Sequence, residues 1–248
     1  MTAAPIPDVI ARRGVEAVHD RAARGMFERI APTYDLLNGV LSAGLDRRWR
    51  ARAVRAGMQA APPGPMLDLC AGTMDLTALL ARARPGERVV AVDFSPAMLE
   101  AGKHKVPGAE IVVADATRLP FDDGTFSLVM CGFGMRNLGD TAVGAREILR
   151  VLRPGGCFVT LELFRPERVT TKAFHFAYAR AVLPVVGGLV SGDRGAYRYL
   201  ARSMAGFLSC AEYETLLGEV GFAGVFGADL TLGVASIVVA RAPGKGAS

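Results

Sequence analysis

The turn at residues 67–75, LDLCAGTMD, joins a short apolar run to a segment with helical periodicity. A strand, a turn of small residues and the start of a helix form a nucleotide pocket, because backbone N–H groups and the helix dipole converge there. The turn contains only Gly72 where a dinucleotide-binding turn has the pattern G-x-G-x-x-G, and it contains no Walker A pattern. The sequence therefore favours a ligand without phosphates at this turn, contacted through a ribose and a charged amino-acid end.

Two aspartates stand at the ends of the next two predicted strands. Asp93 ends an apolar run 21 residues after Gly72, where a carboxylate can accept hydrogen bonds from both ribose hydroxyls. Asp115 follows the third predicted strand, where it can receive an adenine amino group. Because the carboxyl ends of parallel strands meet at one edge of a sheet, we expect Gly72, Asp93 and Asp115 to line one crevice.

The surrounding pattern predicts the elements that position these residues. From Pro65 onward, short apolar runs alternate with helical periodicity, which favours a parallel sheet covered by helices on both faces. Strands are predicted at residues 66–70, 88–93, 110–114, 126–131 and 157–163, and helices at residues 76–84, 96–105 and 142–152. A last helix is predicted at residues 211–220. Two further strands, near residues 225–230 and 234–241, are expected to form a terminal hairpin.

The segments on either side of the sheet have a different character. Residues 25–57 predict one or two arginine-rich helices, broken by Pro32 and Gly44. Residues 170–206 are aromatic and helical in pattern. We therefore expect a single core with a lid.

Composition excludes several classes of protein. The chain has 248 residues, of which 51% are hydrophobic and 21% are charged, so it is neither a disordered tail nor a collagen-like fibre. No apolar run approaches the roughly 18 to 20 residues that a bilayer span requires. The net charge of +5 comes from scattered arginines without interleaved aromatics, so we expect no nucleic-acid partner. Four separated cysteines without a metal-binding pattern predict reduced thiols, no metal site and a cytoplasmic protein.

Further motifs carry a family resemblance. They are FGMRN at residues 133–137, RVLRPGG at residues 150–156 and AYRYL at residues 196–200, with Phe27, Ala31-Pro32, Tyr34-Asp35, Asn38 and SAGLD at residues 42–46 upstream. With the turn and the two aspartates, these motifs make the sequence resemble the class I S-adenosylmethionine-dependent methyltransferases. Over about residues 26–241 it resembles, more narrowly, the ubiquinone/menaquinone biosynthesis C-methyltransferase family.

The resemblance implies a Rossmann-like α/β fold, with a mostly parallel seven-stranded sheet, a C-terminal antiparallel hairpin, helices on both faces and a helical lid. It implies an N-terminal extension at residues 1–25 and a single methyltransferase domain at residues 26–248. The expected parts of this domain are N-terminal helices at residues 26–60, a cofactor-binding core at residues 65–165, a substrate lid at residues 166–210, and a final helix with strands at residues 211–248.

The resemblance also implies an activity and a cofactor. Enzymes of that family methylate a ring carbon of an isoprenoid-bearing quinol, so we expect the conversion of demethylmenaquinol to menaquinol, or methylation of a ubiquinol precursor, with S-adenosyl-L-methionine as cofactor. The residues implied as cofactor contacts are Asp68, Gly72, Thr73, Asp93, Phe94, Asp115, Ala116 and the backbone around Gly132.

Ring-carbon methylation needs catalytic groups, because carbon is a poor nucleophile until the adjacent quinol hydroxyl loses its proton. Arg136 and Asn137, just beyond the fourth predicted strand, are placed to stabilise the developing oxyanion. An arginine is a poor proton acceptor, so we assign Arg136 to electrostatics and water positioning. The base stays open among Tyr34 and His175, with Tyr197 and Asp193 as rivals, and ordinary packing is the alternative role for each.

Two departures from the family pattern bear on the site. Met74 stands inside the turn where the family usually has a small residue, so its side chain either meets the cofactor or points into the helix packing. The segment GFLSC at residues 206–210 stands where relatives often have a proline-containing segment, so the substrate pocket can differ.

Other functions and partners stay open from the sequence. The chain can be a methyltransferase of the same fold for another aromatic or natural-product substrate, a non-catalytic cofactor-binding protein or, from its positive charge alone, a nucleic-acid-binding module. The arginine cluster at residues 47–50, with Arg52 and Arg55, either rests on anionic lipid or forms a solvated helix face. The apolar residues between 174 and 189 either shelter a prenyl tail or pack as a helical pair. A peripheral contact with the inner membrane surface and a homodimer are left open.

Overall fold

Seven strands form a single mixed sheet. The computed structural model describes residues 21–167, 171 and 194–244. The strands are β1 (Met66–Leu69), β2 (Val89–Asp93), β3 (Glu110–Val113), β4 (Phe126–Gly132), β5 (Leu152–Glu162), β6 (Ala223–Leu230) and β7 (Ala235–Arg241). Their order in the sheet is β3-β2-β1-β4-β5-β7-β6. The first five strands run parallel and β7 is antiparallel to both β5 and β6, so the predicted sheet and terminal hairpin are confirmed.

Helices connect the strands and extend the chain at the N-terminal side. They are α1 (Arg21–Ile30), α2 (Tyr34–Leu41), α3 (Leu45–Ala60), α4 (Asp75–Ala83), α5 (Pro96–Gly102), α6 (Thr141–Val151), α7 (Arg194–Gly206) and α8 (Cys210–Val220). Side chains cap several of them: Ser95 caps α5, Asp140 caps α6, and Ser209 forms a capping box with Glu212 at the start of α8.

Alternate residues of the central strands pack on opposite faces of the sheet. Leu67 and Val129 belong to one buried apolar cluster, whereas Met66 and Leu128 belong to another. Every residue of β1 and of β2 is buried, as expected for parallel strands covered by helices on both faces. The buried apolar clusters on both faces therefore fix the positions of the carboxyl ends of β1 and β2.

The N-terminal part has more elements than the sequence predicts. One or two helices are expected there, but the structure has three, α1 to α3. Pro32 lies in a 3₁₀ turn, Ala31–Thr33, which separates α1 from α2. Ala43 and Gly44 both have positive φ, at 50° and 74°, which turns the chain between α2 and α3.

Strand β5 begins earlier than predicted. The sequence predicts this strand only from residue 157, yet residues 153–156 also lie inside β5. Gly155 has a φ of 75° and its N–H donates to the carbonyl of Ala242 at 3.1 Å, while the pairing of β4 with β5 shifts register between Phe126 and Leu128. The glycine-containing segment is thus an irregularity within a strand that continues on both sides of it.

Two predicted parts lie wholly or largely outside the described residues. Residues 1–20 of the N-terminal extension and most of the lid at residues 166–210 belong there, including His175, Asp193 and the apolar residues between 174 and 189. The domain boundaries drawn from the sequence stay predictions. Within residues 21–167, 171 and 194–244, no helix is both long and apolar enough to cross a membrane.

Candidate active site

The turn between β1 and α4 is built from unusual backbone conformations. Cys70, Gly72 and Met74 have φ values of 56°, 53° and 64°, in the left-handed region. A Cβ on Gly102, at the end of α5, would overlap the backbone of Thr73, so the absence of a side chain there lets α5 approach the turn. The turn is held in one shape by its neighbours rather than by its own conformational preferences.

Asp93 ties the end of β2 to this turn. Its Oδ2 accepts a hydrogen bond from the N–H of Gly72 at 2.9 Å, and its Oδ1 accepts one from the N–H of Ser95 at 2.9 Å. Burial raises the pKa of Asp93, and the hydrogen bonds from Ser95 and Gly72 oppose that rise. The backbone N–H of Phe94 also donates to this carboxylate, so of its roughly four acceptor positions Asp93 keeps about one for a further donor such as a ribose hydroxyl.

Asp68, inside β1, has one oxygen without a partner. Its Oδ2 accepts from the hydroxyl of Thr77 at 2.6 Å, whereas its buried Oδ1 has no hydrogen-bond partner among the described residues. Burial raises the pKa of Asp68 to about 7, and the hydrogen bond from Thr77 opposes the rise. A buried carboxylate oxygen without a donor is costly to the protein alone, so this position suits a ligand that brings a donor or a positive charge.

Met74 points away from the crevice. Its side chain is fully buried in a cluster with Ala78, Ala91, Leu99 and Val106, which α4, β2, α5 and the loop after α5 provide. Of the two orientations that the sequence leaves open, the structure has the one that packs against helices.

Polar contacts join the N-terminal helices to the turn. The hydroxyl of Thr73 donates to Oδ1 of Asp35 at 2.5 Å. Lys105 Nζ donates to Oδ2 of Asp35 at 2.5 Å and to Oδ1 of Asp75 at 2.6 Å. The hydroxyl of Thr73, a predicted cofactor contact, therefore donates its hydrogen to Asp35 of α2. These contacts hold α2 against the turn.

Aromatic rings pack together above the turn. The ring of Phe27 lies edge-on to those of Phe94, Tyr34 and Tyr199, with centroid separations of 6.0, 6.4 and 6.0 Å. A Cβ added to Gly72 would lie 3.8 Å from Cε1 of Tyr34. Tyr34 is thus close to the turn. Phe27 and Tyr199 lie beside it, although the sequence predicts neither of them as a site residue.

Arg136 is a buried cation beyond β4. Its Nη1 donates to the carbonyl of Phe133 at 2.8 Å and pairs with Oε1 of Glu162, the last residue of β5. Its Nε is buried without a hydrogen-bond partner among the described residues. Burial alone would lower the pKa of Arg136, but the Glu162 carboxylate outweighs it and raises the pKa. The guanidinium therefore keeps its charge, as the prediction for Arg136 requires.

Asn137 is oriented by two contacts. Its Oδ1 accepts a hydrogen bond from the hydroxyl of Tyr199 at 2.9 Å, and its Nδ2 donates to the carbonyl of Phe133 at 3.3 Å. Burial raises the pKa of Tyr199, although the charge of Arg136 opposes the rise, so Tyr199 stays a hydroxyl donor. The AYRYL motif thereby contributes a side chain that positions Asn137.

A mostly apolar cavity of about 200 Å³ opens beside these residues. Its charged and phenolic side chains are Tyr34, Asp46, Arg50 and Arg136. The apolar part of its wall consists of Leu41, Ala43, Leu45, Trp49, Phe133, Leu163, Leu200, Met204 and Val234. Because Tyr34 belongs to this wall and also approaches Gly72, the cavity adjoins the turn.

The other predicted site residues lie at the expected ends of strands. Asp115 follows β3, where its Oδ1 accepts from the N–H and the hydroxyl of Thr117 at 2.8 and 2.7 Å. Ala116 packs in the core, and Gly132 ends β4 beside Leu76. His175 lies outside the described residues. Contacts of these residues with a cofactor stay predictions.

Comparison with known proteins decides the family. Residues 15–241 match the ubiE/COQ5 methyltransferase family. The chain belongs to this family. It is 42% identical over 222 residues to a demethylmenaquinone methyltransferase of Thermus thermophilus, which covers 88% of this chain and 100% of the relative. It is also 42% identical over 221 residues to the ubiquinone/menaquinone biosynthesis C-methyltransferase UbiE of Geobacter sulfurreducens, which covers 86% of each.

Solved structures share the fold. An S-adenosylmethionine-dependent methyltransferase of Thermotoga maritima superposes with a TM-score of 0.63 at 16% identity, covering 88% of this chain and 99% of that one. Another, of Aquifex aeolicus, superposes with a TM-score of 0.56 at 16% identity, covering 77% and 89%. The ubiE/COQ5 chain thus has the class I methyltransferase architecture that its sequence implies.

The residues at the turn fit S-adenosyl-L-methionine, the cofactor of this methyltransferase. The unpartnered Oδ1 of Asp68 is an acceptor for a charged amino-acid end, and the remaining acceptor position of Asp93 suits a ribose hydroxyl. The bound cofactor supplies an electrophilic methyl group. Asp68, Gly72 and Asp93 are the residues that would hold it.

Proposed function

We propose that this enzyme methylates a ring carbon of a quinol, converting demethylmenaquinol to menaquinol or acting on a ubiquinol precursor. The observation that carries the proposal is the apolar cavity beside the turn, which has the buried cation Arg136 in its wall. A flat aromatic ring with a greasy substituent matches a wall of Trp49, Phe133 and leucine side chains. The names of the relatives from Thermus thermophilus and Geobacter sulfurreducens support the same substrate class.

The cavity suits the charge that develops on the substrate. When a quinol hydroxyl loses its proton, negative charge spreads over the oxygen and the ring. Arg136 and Arg50 both belong to the cavity wall, and in a largely apolar surrounding their attraction to an anion is stronger than in water. We assign Arg136 and Asn137 to oxyanion stabilisation and Tyr34 to positioning of the ring next to the turn, since methyl transfer depends on alignment.

The test is methyl transfer to defined acceptors. Purified enzyme is incubated with S-adenosylmethionine and chemically reduced demethylmenaquinone or a demethylated ubiquinol precursor carrying short prenyl tails. We expect a product that is heavier by one methyl group and carries it on the ring carbon, identified by mass spectrometry and by the position of the label. Transfer to oxygen, or to neither quinol while another aromatic compound is methylated, would contradict the proposal.

We further propose that the mouth of the cavity rests on a membrane surface. Leu36 and Val40 on α2 are 59% and 42% exposed, and Leu232, in a turn flanked by the cavity residues Thr231 and Val234, is 87% exposed. Arg47 and Arg48 are exposed on the neighbouring α3, where they suit anionic headgroups.

The structure corrects the arginine cluster drawn from the sequence. Arg50 is buried and paired with Asp46, and Trp49 is buried with its Nε1 donating to the hydroxyl of Thr231 at 2.9 Å.

Co-sedimentation with anionic vesicles should therefore fall for Arg47→Gln/Arg48→Gln and for Leu232→Ser, and stay unchanged for Arg146→Gln, an exposed residue of α6. Equal sedimentation of all variants would rule out this surface. The homodimer stays a prediction that sedimentation velocity tests.

A further inference from the structure

Among the residues that the structure describes, the wall of the cavity contains one carboxylate. Its ionisable residues, among those that the structure describes, are Tyr34, Asp46, Arg50 and Arg136. A guanidinium has no acceptor, and a tyrosine hydroxyl is a phenol like the quinol itself, so neither gains by taking the quinol proton. Asp46 is the carboxylate in this part of the wall.

Asp46 is held in place at the first turn of α3. Its Oδ1 accepts from the hydroxyl of Ser42 at 2.7 Å, and its Oδ2 pairs with Nη1 of Arg50. The backbone N–H of Arg47 also donates to the carboxylate. These contacts leave one of its roughly four acceptor positions for a group in the cavity. Since only 8% of its side chain is exposed, that group need not compete with bulk water.

The carboxylate is ionised near neutral pH. Burial alone would raise the pKa of Asp46, but the hydrogen bond from Ser42 and the charge of Arg50 outweigh it and lower the pKa. The other ionisable groups of the same wall are Arg50, on its own helix, and Tyr34 and Arg136 on other elements. Asp75 lies behind Arg50, with 3.9 Å between Oδ2 and Nη1.

We propose that Asp46 is the general base that takes the hydroxyl proton of the substrate quinol. The O–H bond breaks, the proton moves to a carboxylate oxygen, and the electron pair stays on the quinol oxygen and spreads onto the ring carbon. The ring carbon then forms its bond to the methyl group as the S–CH₃ bond breaks. That carbon loses its hydrogen as a proton, which restores the aromatic ring while the quinol oxygen takes a proton back. One proton per turnover passes to solvent, and the carboxylate is regenerated. This inference rests on the proposed quinol methylation and deepens it, because it names the group that activates the ring.

The arginines of the same wall make the transfer feasible for a weak base. Arg136 belongs to the same wall, and its guanidinium stays charged, so it places a positive charge beside a quinol oxygen in the cavity. Positive charge next to a hydroxyl favours its ionised form and brings its acidity closer to that of a carboxyl group. Base and cations of one cavity wall can thus act on the same hydroxyl.

The test compares the pH dependence of turnover. Asp46→Asn keeps the size of the side chain and removes the base, so we expect kcat to fall by about 10²- to 10⁴-fold. In native enzyme kcat should be nearly flat between pH 6 and 8, whereas in the variant it should rise about tenfold per pH unit, because only hydroxide now takes the proton. Formate should restore part of the activity of Asp46→Ala, whose missing side chain leaves room for a small carboxylate.

Two controls separate a base from a structural residue. If Asp46→Asn fails to fold because it leaves Arg50 unpaired, the double variant Asp46→Asn/Arg50→Gln replaces it, since it removes both charges of the pair. The double variant should show the same steep pH profile of kcat. Glu100→Gln removes an exposed carboxylate of α5 and should leave kcat and its pH profile native. Binding of S-adenosylhomocysteine by calorimetry reports folding of each variant independently of turnover.

The outcomes are distinguishable. A kcat of Asp46→Asn within threefold of native would overturn the role of Asp46. So would a lower kcat with a pH profile parallel to native and no formate rescue of Asp46→Ala. Either result would leave quinol methylation standing. Native enzyme that binds S-adenosylhomocysteine but methylates no quinol would refute the proposed function, and with it the inference.

Discussion

Arg136 and Glu162 form an ion pair that is almost completely shielded from solvent, with 8% and 0% of their side chains exposed. Glu162 also accepts hydrogen bonds from the N–H groups of Leu163 at 2.8 Å and of Arg136 at 3.3 Å. The pair joins the end of β5 to the 3₁₀ turn after β4 and fixes a cation in the wall of the cavity.

Glu162→Gln should destabilise the protein strongly. Removing one partner leaves a buried guanidinium without its counter-charge, and we expect the free energy of unfolding to fall by about 3 to 5 kcal/mol. Denaturant unfolding followed by circular dichroism measures this loss. Glu110→Gln is the control, because the Arg88–Glu110 pair is about 45% exposed and should contribute less than about 1 kcal/mol. Equal losses for both variants would show that burial of the Arg136 pair has no special importance.

Arg136→Lys should separate charge from geometry at the proposed oxyanion. A lysine keeps the positive charge for Glu162 but lacks the planar guanidinium, so we expect kcat to fall by about 10²- to 10³-fold. Affinity for S-adenosylhomocysteine should stay within threefold of native. Steady-state kinetics and calorimetry measure the two effects, and Arg146→Lys on α6 serves as the exposed control. Native turnover in Arg136→Lys would remove the proposed role.

Cofactor binding near neutral pH should release protons from Asp68. Burial raises its pKa to about 7, so a substantial fraction of the side chain is protonated at pH 6.5. A positively charged amino-acid end beside its free oxygen would lower that pKa and drive the proton off. Calorimetric titration with S-adenosylhomocysteine at pH 6.5, in two buffers of different ionisation enthalpy, measures the release, which we expect to be about three quarters of a proton. Binding without a buffer effect, or an unchanged effect in Asp68→Asn, would contradict this assignment.

The same pKa shift has a consequence for stability. Because the folded-state pKa of Asp68 lies above its unfolded value of 3.8, ionisation opposes folding. Its contribution should destabilise the unliganded protein progressively as the pH rises from about 4 to about 7. Asp68→Asn removes this dependence, so thermal melts of the two proteins should differ most above pH 7.

Met74 and Gly72 should behave differently although they lie two residues apart. Met74→Ala removes a fully buried side chain and should lower the free energy of unfolding by about 2 to 4 kcal/mol, with unchanged affinity for S-adenosylhomocysteine. Gly72→Ala places a Cβ 3.3 Å from Cε of Met98 at a φ of 53°, and it should weaken that affinity at least tenfold. Calorimetry and thermal melts measure both. Weaker binding in Met74→Ala would place its side chain in the crevice.

The residues at the turn are predictable from the sequence, because the ends of predicted strands place them. Gly72 and Asp93 are 21 residues apart, yet parallel pairing of β1 with β2 brings them into hydrogen-bond contact. The pairing follows from two apolar runs, each followed by a helix, which is a pattern visible in the sequence. The sheet and the terminal hairpin are predictable for the same reason.

The ion-pair partners of Arg136 and Arg50 are not predicted, because they depend on strand register and on which face of a helix is buried. Glu162 meets Arg136 because Gly132 of β4 pairs with Leu161 of β5, and no local pattern indicates this register. Arg50 looks like one of a cluster of exposed arginines, whereas helical spacing places it with Trp49, Ala53 and Gly57 on the buried face of α3. That spacing could have identified Arg50, and with it Asp46, as residues of the interior.

The position of the transferred methyl group decides whether this enzyme methylates a quinol ring carbon. Native enzyme is incubated with reduced demethylmenaquinone and S-adenosylmethionine carrying a ¹³C-labelled methyl group, and the product is analysed by mass spectrometry and NMR. The cavity and its buried cation predict a single labelled methyl group on the quinol ring carbon. Label on a hydroxyl oxygen, or no label in the quinol while the enzyme binds S-adenosylhomocysteine, would refute methylation of the quinol ring carbon.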